Sequence, residues 1–216
     1  MLLLVASILV LFLLNLFLGS VHIPMDSIWN ILWGLDGDES VIWQNIIWKS
    51  RIPQSLTALV AGAGLAVSGL QMQTVFRNPL AGPSVLGISS GASLGVAFVV
   101  LLSGSIGGIA LSRLGFMGEI ALTVAAIVGA LSVMALIVYV SQKVHGNVTL
   151  LIIGVMIGYV ANAVIGVLKF FSVEEDIRAY VIWGLGSFAR VSGNQVTVFI
   201  CIMAVLLPLS FLLIKT

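Results

Sequence analysis

The chain has 216 residues, 60% apolar and 8% charged, with a net charge of +1 and one cysteine. A soluble domain carries roughly 25% charged residues to hydrate its surface, so this composition excludes a water-soluble globule and implies an integral membrane protein. The near-neutral charge gives no basis for nucleic-acid binding, and the lone Cys201 excludes an internal disulfide or a cysteine-based metal cluster.

Six apolar segments reach spanning length, at 2–19, 53–74, 84–104, 118–141, 149–171 and 194–214. Backbone polar groups find no water inside a bilayer, so each segment is expected to be helical. The alternation of a membrane barrel strand is absent. The expectation is an all-α, polytopic transmembrane bundle of about six spanning helices with short interfacial helices, forming one domain over 1–216.

The first segment lacks the positive start and A-x-A-like end of a cleaved signal and reads as a retained helix, with Asn15 as a helix-to-helix contact. The following loop, 20–52, carries Trp29, Trp33, Trp43 and Trp48 around Asp36, Asp38 and Glu39. Indole rings prefer the headgroup layer, so it is expected to lie along the surface. His22 and His145 read as interfacial residues. In the second span Gln71 and Gln73 are too polar to face lipid and should point inward.

Asn78-Pro79 must end the second helix near Phe76 or Arg77, because proline lacks a donor and pushes its predecessor out of the α region. Pro83-Ser84 is expected to restart the next helix, since proline is tolerated in a first turn. The intervening Leu80-Ala81-Gly82 is nearly apolar. Such backbone survives at membrane depth only when buried in protein or lining a cavity.

Gly87, Gly91 and Gly95 recur every four residues in the third span, and Gly154, Gly158, Asn162 and Gly166 in the fifth. Residues i and i+4 share a helix face, and small residues let membrane helices approach closely. Packing is therefore expected of the glycines, while Asn162 faces a packed neighbour, a subunit partner or a hydrated path. Gly87-Ile88-Ser89-Ser90-Gly91 formally matches G-x-S-x-G, but that motif works on a strand-to-helix elbow and needs a base in reach. A serine hydrolase using Ser89 or Ser90 stays a remote alternative. The loop 172–193 holds SVEEDIRAYVIWGLGSF, similar in character to the Trp-rich loop, and Cys201 reads as an inert packed thiol.

No phosphate-binding G-x-x-x-x-G-K-[ST] is present, and no carboxylate lies mid-span. No cofactor is expected on this chain, no metal site is foreseen, and any energy must come from a separate subunit. With both ends on one side, the raw Lys and Arg count, six against three, would put the termini outside.

Arg51-Ile52-Pro53-Gln54, Leu65-Ala66-Val67-Ser68-Gly69, Gln73, Arg77 to Pro83 and Leu86 to Ala92 together resemble the FecCD permease family. These are membrane subunits of ABC importers for ferric siderophores, haem and vitamin B12. The likeness continues more weakly through Leu150, Leu151, Gly154 and Trp183 to Phe188. It implies a homodimeric permease of ten spans per subunit in the cell inner membrane, ATP bound by cytoplasmic ATPase subunits, and an extracytoplasmic binding protein. It also implies cytoplasmic termini for these six spans, against the Lys and Arg count.

The resemblance makes Arg51 the first arginine of an R-x-P-R motif that docks the binding protein. Gln54 stands where the second would be, and Lys49 is conjectured to help. Arg77, Asn78, Pro79, Leu80, Gly82 and Pro83 would form the inner turn, and Asn147 and Val148 align with the cytoplasmic gate. Asn162 on the translocation path is inferred from the stripe alone. Because the family continues past a sixth span, the chain is expected to be a truncated or N-terminal portion, with a non-transporting membrane scaffold as the alternative.

Overall fold

Every element assigned among the described residues is helical. The computed structural model describes residues 2–35, 41–106, 116–144, 146–189 and 191–214. The acidic trio Asp36, Asp38 and Glu39, together with Arg113, His145, Arg190 and Lys215, lies outside them. In chain order the helices are α1 (Leu2–Phe17), α2 (Met25–Trp33), α3 (Val41–Ile46), α4 (Ile52–Phe76), α5 (Ile88–Ile106), α6 (Phe116–Ser141), α7 (Asn147–Phe171), α8 (Glu174–Gly184) and α9 (Gly193–Ile214). Four stretches are long and apolar enough to cross a bilayer: Val41–Phe76, Met117–Ser141, Asn147–Phe171 and Gly193–Leu212. Leu2–Phe17 and Ile88–Leu102 are apolar but shorter, so four of the six anticipated spans meet the length requirement as helices.

The chain divides into two units. The first comprises Met1–Val67 and Ser187–Thr216. Its core gathers Ile23, Ile28, Ile31 and Ile47, with Phe17, Trp43 and Ile52 packed around them. The Trp-rich loop holds α2 and α3, and Trp29 and Trp33 stand exposed with ring centroids 5.8 Å apart. Between α3 and α4 the helix widens into a π turn over Ile47–Arg51. Pro53 explains it. A proline ring clashes with the carbonyl four residues back, here that of Lys49, and the wider turn relieves the crowding without ending the helix. Further along α4, Gly64 leaves room for the Met203 methyl of α9.

The second unit, Ser68–Gly186, packs α5 between α6 and α7 and sets α8 against α5. One core joins Phe76, Ala81 and Leu86 to Val133, Ile137 and Leu151. The other joins Val96, Ala97, Val100 and Leu101 to Ile165 and Tyr180.

One boundary departs from expectation. The helix does not restart at Pro83-Ser84: residues 83–87 form turns, and α5 begins at Ile88. Gly87, at φ +72°, adopts the left-handed conformation that favours glycine.

Candidate functional site

α4 ends in a dense set of local bonds. The Asn78 amide donates to Gln73 O at 3.1 Å and the Arg77 amide to Thr74 O at 3.3 Å. Arg77 itself sits at φ +48°, the place where a helix normally uses glycine. The Gln73 side chain donates to Pro79 O at 3.1 Å, and Asn78 Oδ1 accepts from the Leu80 amide at 2.9 Å. Three stacked turns follow, closed by Ala81 to Asn78 O, Val85 to Gly82 O and Gly87 to Ser84 O. Ala81 and Leu86 are buried, whereas Arg77 and Leu80 are exposed. Gln71, by contrast, keeps a buried amide nitrogen without a partner.

The last carbonyls of a helix lack intrahelical partners, and at α4 one of them is met from far away. Asn147 Nδ2 donates to Val75 O at 3.3 Å, tying the start of α7 to the end of α4. Val148 beside it is 68% exposed.

Against α7 the turn comes down to backbone contact. A Cβ on Gly87 would lie 2.7 Å from Gly154 O and 3.1 Å from Gly158 N, and a Cβ on Gly154 would lie 2.8 Å from the Leu86 Cα. Gly154 and Gly158 are seven and eleven residues beyond Asn147, or about 10 and 16 Å along the helix. Residues 83–87 therefore lie well inside the length of α7, at bilayer depth if α7 spans.

The first glycine stripe divides between two neighbours. Gly87 precedes α5 and meets α7, whereas Gly91 and Gly95 meet α6: a Cβ on Gly91 would lie 2.7 Å from Gly129 O, and one on Gly95 would strike Ala125 O. A single shared face is corrected to two, because the left-handed residue breaks the helical period just before Ile88. Gly129, which completes the α5–α6 contact, lies eleven residues from the other glycine of α6, Gly118, and carried no four-residue period.

In the fifth-span stripe, Gly154 and Gly158 are buried while Asn162 and Gly166 lie on the exposed face of α7 with Tyr159. Nothing lies within 4 Å of a Cβ on Gly166.

Arg51 is 5% exposed. Its guanidinium donates to Leu16 O at 2.7 Å, to Phe17 O at 3.2 Å and to Val21 O, capping the unpaired carbonyls at the end of α1. A Cβ on Gly19 would lie 2.8 Å from Arg51 Nη2, so glycine there makes room for the guanidinium. Ser55 Oγ lies 2.7 Å from Asn15 Oδ1 and 2.8 Å from Arg51 O. The guanidinium anticipated at a docking surface is thus turned inward against three carbonyls. Lys49 is exposed and Gln54 half-buried.

On α8, Tyr180 is buried beside Trp183 and under Lys169, whose Nζ is 4.9 Å from the ring centroid. Burial pushes its hydroxyl above the ordinary tyrosine value, with a hydrogen bond to Ser93 acting the other way. Ser90 opens on a cavity lined by no histidine or acid, so nothing in that lining could serve a serine nucleophile as base. Among the described residues no three His, Cys, Asp or Glu gather as metal ligands.

The FecCD transport family model matches residues 7–216. The chain belongs to the FecCD transport family. The hemin transport system permease protein HmuU of Yersinia pestis is 35% identical over 194 residues, covering 88% of this chain and 55% of its own length. A vitamin B12 import system permease protein, BtuC of Pectobacterium atrosepticum, is 32% identical over 183 residues, covering 85% and 51%. A solved structure described as an inward-facing conformation of a metal-chelate type ABC transporter aligns with a TM-score of 0.70 at 26% identity, over 92% of this chain and 56% of that one. The chain thus spans about half the length of the curated relatives it matches, and its FecCD membership rests on nearly all of its own.

Proposed function

We propose that this chain supplies membrane-spanning helices to the permease subunit of an ATP-driven importer for a metal chelate: haem, a ferric siderophore or a corrinoid such as vitamin B12. The observation that carries the reading is the joint at 77–87, a non-helical stretch wedged against the glycines of α7 in a chain of the FecCD family. Irregular backbone at bilayer depth is tolerated where it is buried in protein or lines a cavity, and a transport path is such a place.

In this reading six segments cross the inner membrane from cytoplasmic termini, and a second permease subunit completes the pore. ATP is bound and hydrolysed on separate cytoplasmic subunits, and a binding protein delivers cargo to the outer face. Val148 narrows the cytoplasmic gate, while Asn147 holds the gate segment to the joint. Docking falls to Lys49 and the neighbouring Gln54. Charges at an interface rim act mainly on association rate and orientation, so Lys49→Glu should slow binding-protein association at low salt.

Co-expression with its genomic neighbours, followed by uptake of haemin, ferric siderophores and cyanocobalamin into proteoliposomes, tests the proposal. ATP-dependent accumulation of one of them is expected. Absence of accumulation for all three classes, with the assembled complex hydrolysing ATP, would overturn it.

A further inference from the structure

Between the joint and α7 lies a cavity of about 270 Å³, lined among others by Ser84, Gly87, Ser90, Gly158, Tyr159 and Asn162. Several hydroxyls among the described residues are satisfied within their own helix. Ser55 donates to Arg51 O, Thr57 to Pro53 O, Thr74 to Leu70 O, Thr123 to Glu119 O and Ser132 to Val128 O. Ser84, Ser90, Tyr159 and Asn162 differ: none of the four side chains bonds to another described residue. They come from the joint, α5 and α7, which are locked together, since Gly87 and Gly158 hold the backbones in contact.

Lipid cannot fill such a place. An unpaired hydroxyl or amide in an apolar medium costs roughly 2–7 kcal/mol, and four converge here. Ser84, Tyr159 and Asn162 are exposed on this chain, so water, a polar ligand or polar groups from outside this sequence satisfy them. Among the described residues no charged one lines the cavity, so they offer no fixed counter-charge with which to trap an ion. It is also smaller than the roughly 300–1,000 Å³ of sites that enclose a whole small molecule, which limits it to a substituent of a larger cargo.

Resting on the transport reading above, we infer that this cavity is a hydrated, charge-free hydrogen-bonding step on the translocation path, taking the amide, hydroxyl or carboxylate oxygens at the rim of a passing metal chelate. Neutral donors and acceptors exchange readily with water, so the step guides the chelate without retaining it.

The test uses the assembled transporter in membrane vesicles, with Cys201→Ala removing the one cysteine of this sequence and any cysteine elsewhere in the complex likewise replaced. Single cysteines are placed at Ser90, at Asn162 and, as an apolar control, at Val124 in the groove between α5 and α6. Labelling by a charged, membrane-impermeant thiol reagent is expected to be at least tenfold faster at positions 90 and 162 than at 124. Asn162→Leu combined with Ser90→Ala should lower uptake of haemin or cyanocobalamin, whichever the unmodified transporter accepts, about tenfold, with Val124→Cys unaffected. Labelling no faster than at Val124 would overturn the inference. So would a spontaneous disulfide between two copies through Asn162→Cys without reagent access, or undiminished uptake in the double variant. If the unmodified transporter accepts neither probe, uptake is read with a ferric siderophore; failure of all three classes sinks the transport reading, while the labelling still decides whether the cavity is wet.

Discussion

The two flanks of α5 are built from the same kind of residue and come out differently. Toward α6, Gly91, Gly95 and Gly129 interlock backbone on backbone, and the groove beside them is lined almost wholly by apolar side chains. Toward α7, Gly87, Gly154 and Gly158 also bring backbones together, yet four unpartnered polar side chains gather beside that contact. A glycine stripe therefore states only that backbones meet. Whether the meeting place is dry or wet depends on the residues one helical turn away, here Ser90, Tyr159 and Asn162 against Leu94, Phe98 and Val124.

The dry flank should break hardest. Gly95→Leu drives a side chain into the Ala125 carbonyl, and overpacking of this kind costs about 3 kcal/mol; thermal unfolding in detergent should show the largest loss of this set. Arg51→Met comes next, as a point outside both flanks. It strands the Leu16 and Phe17 carbonyls at the end of α1 and that of Val21 beyond it and should cost about 1.5–3 kcal/mol, the range for hydrogen bonds to charged groups, read as faster proteolysis around residues 16–21.

The wet flank is more tolerant. Gly87→Ala combines a strained positive φ with contact on Gly154 O and should cost about 2 kcal/mol, while uptake falls more than stability because the cavity wall moves. Gly166→Ala should be the mildest. Its site is open, and alanine is favoured over glycine inside a helix by about 1 kcal/mol, so a slight rise in melting temperature is expected. A loss there would show that the exposed face of α7 is covered in the assembled protein, sharpening the contrast between the flanks.

The helices were legible because a bilayer leaves apolar runs little choice, and the break at Asn78-Pro79 was legible because proline chemistry is local. The end of the joint was not. Pro83-Ser84 satisfies the rules for a helix start, and only the tertiary approach of Gly87 to Gly154 delays it to Ile88. The clamp around Arg51 was not legible for a related reason. Its sequence neighbourhood says nothing of the α1 carbonyls 30 to 35 residues earlier, and Gly19, the one residue that records the clamp, looks like any loop glycine. Tyr159 gave no signal as a polar residue, being amphipathic and placed beside a glycine in an apolar run.

The account depends on the joint being pressed into α7, and one pair of positions reports on it directly. A Cβ on Gly158 would lie 3.9 Å from the Ser90 Cβ, inside the roughly 3.5–4.5 Å that a disulfide spans. Ser90→Cys with Gly158→Cys, in the Cys201→Ala background, should cross-link nearly completely within one chain under mild oxidation in native membranes, detected as a linked peptide by mass spectrometry. Two free thiols persisting under the same oxidant, in protein that has reached the membrane, would contradict it.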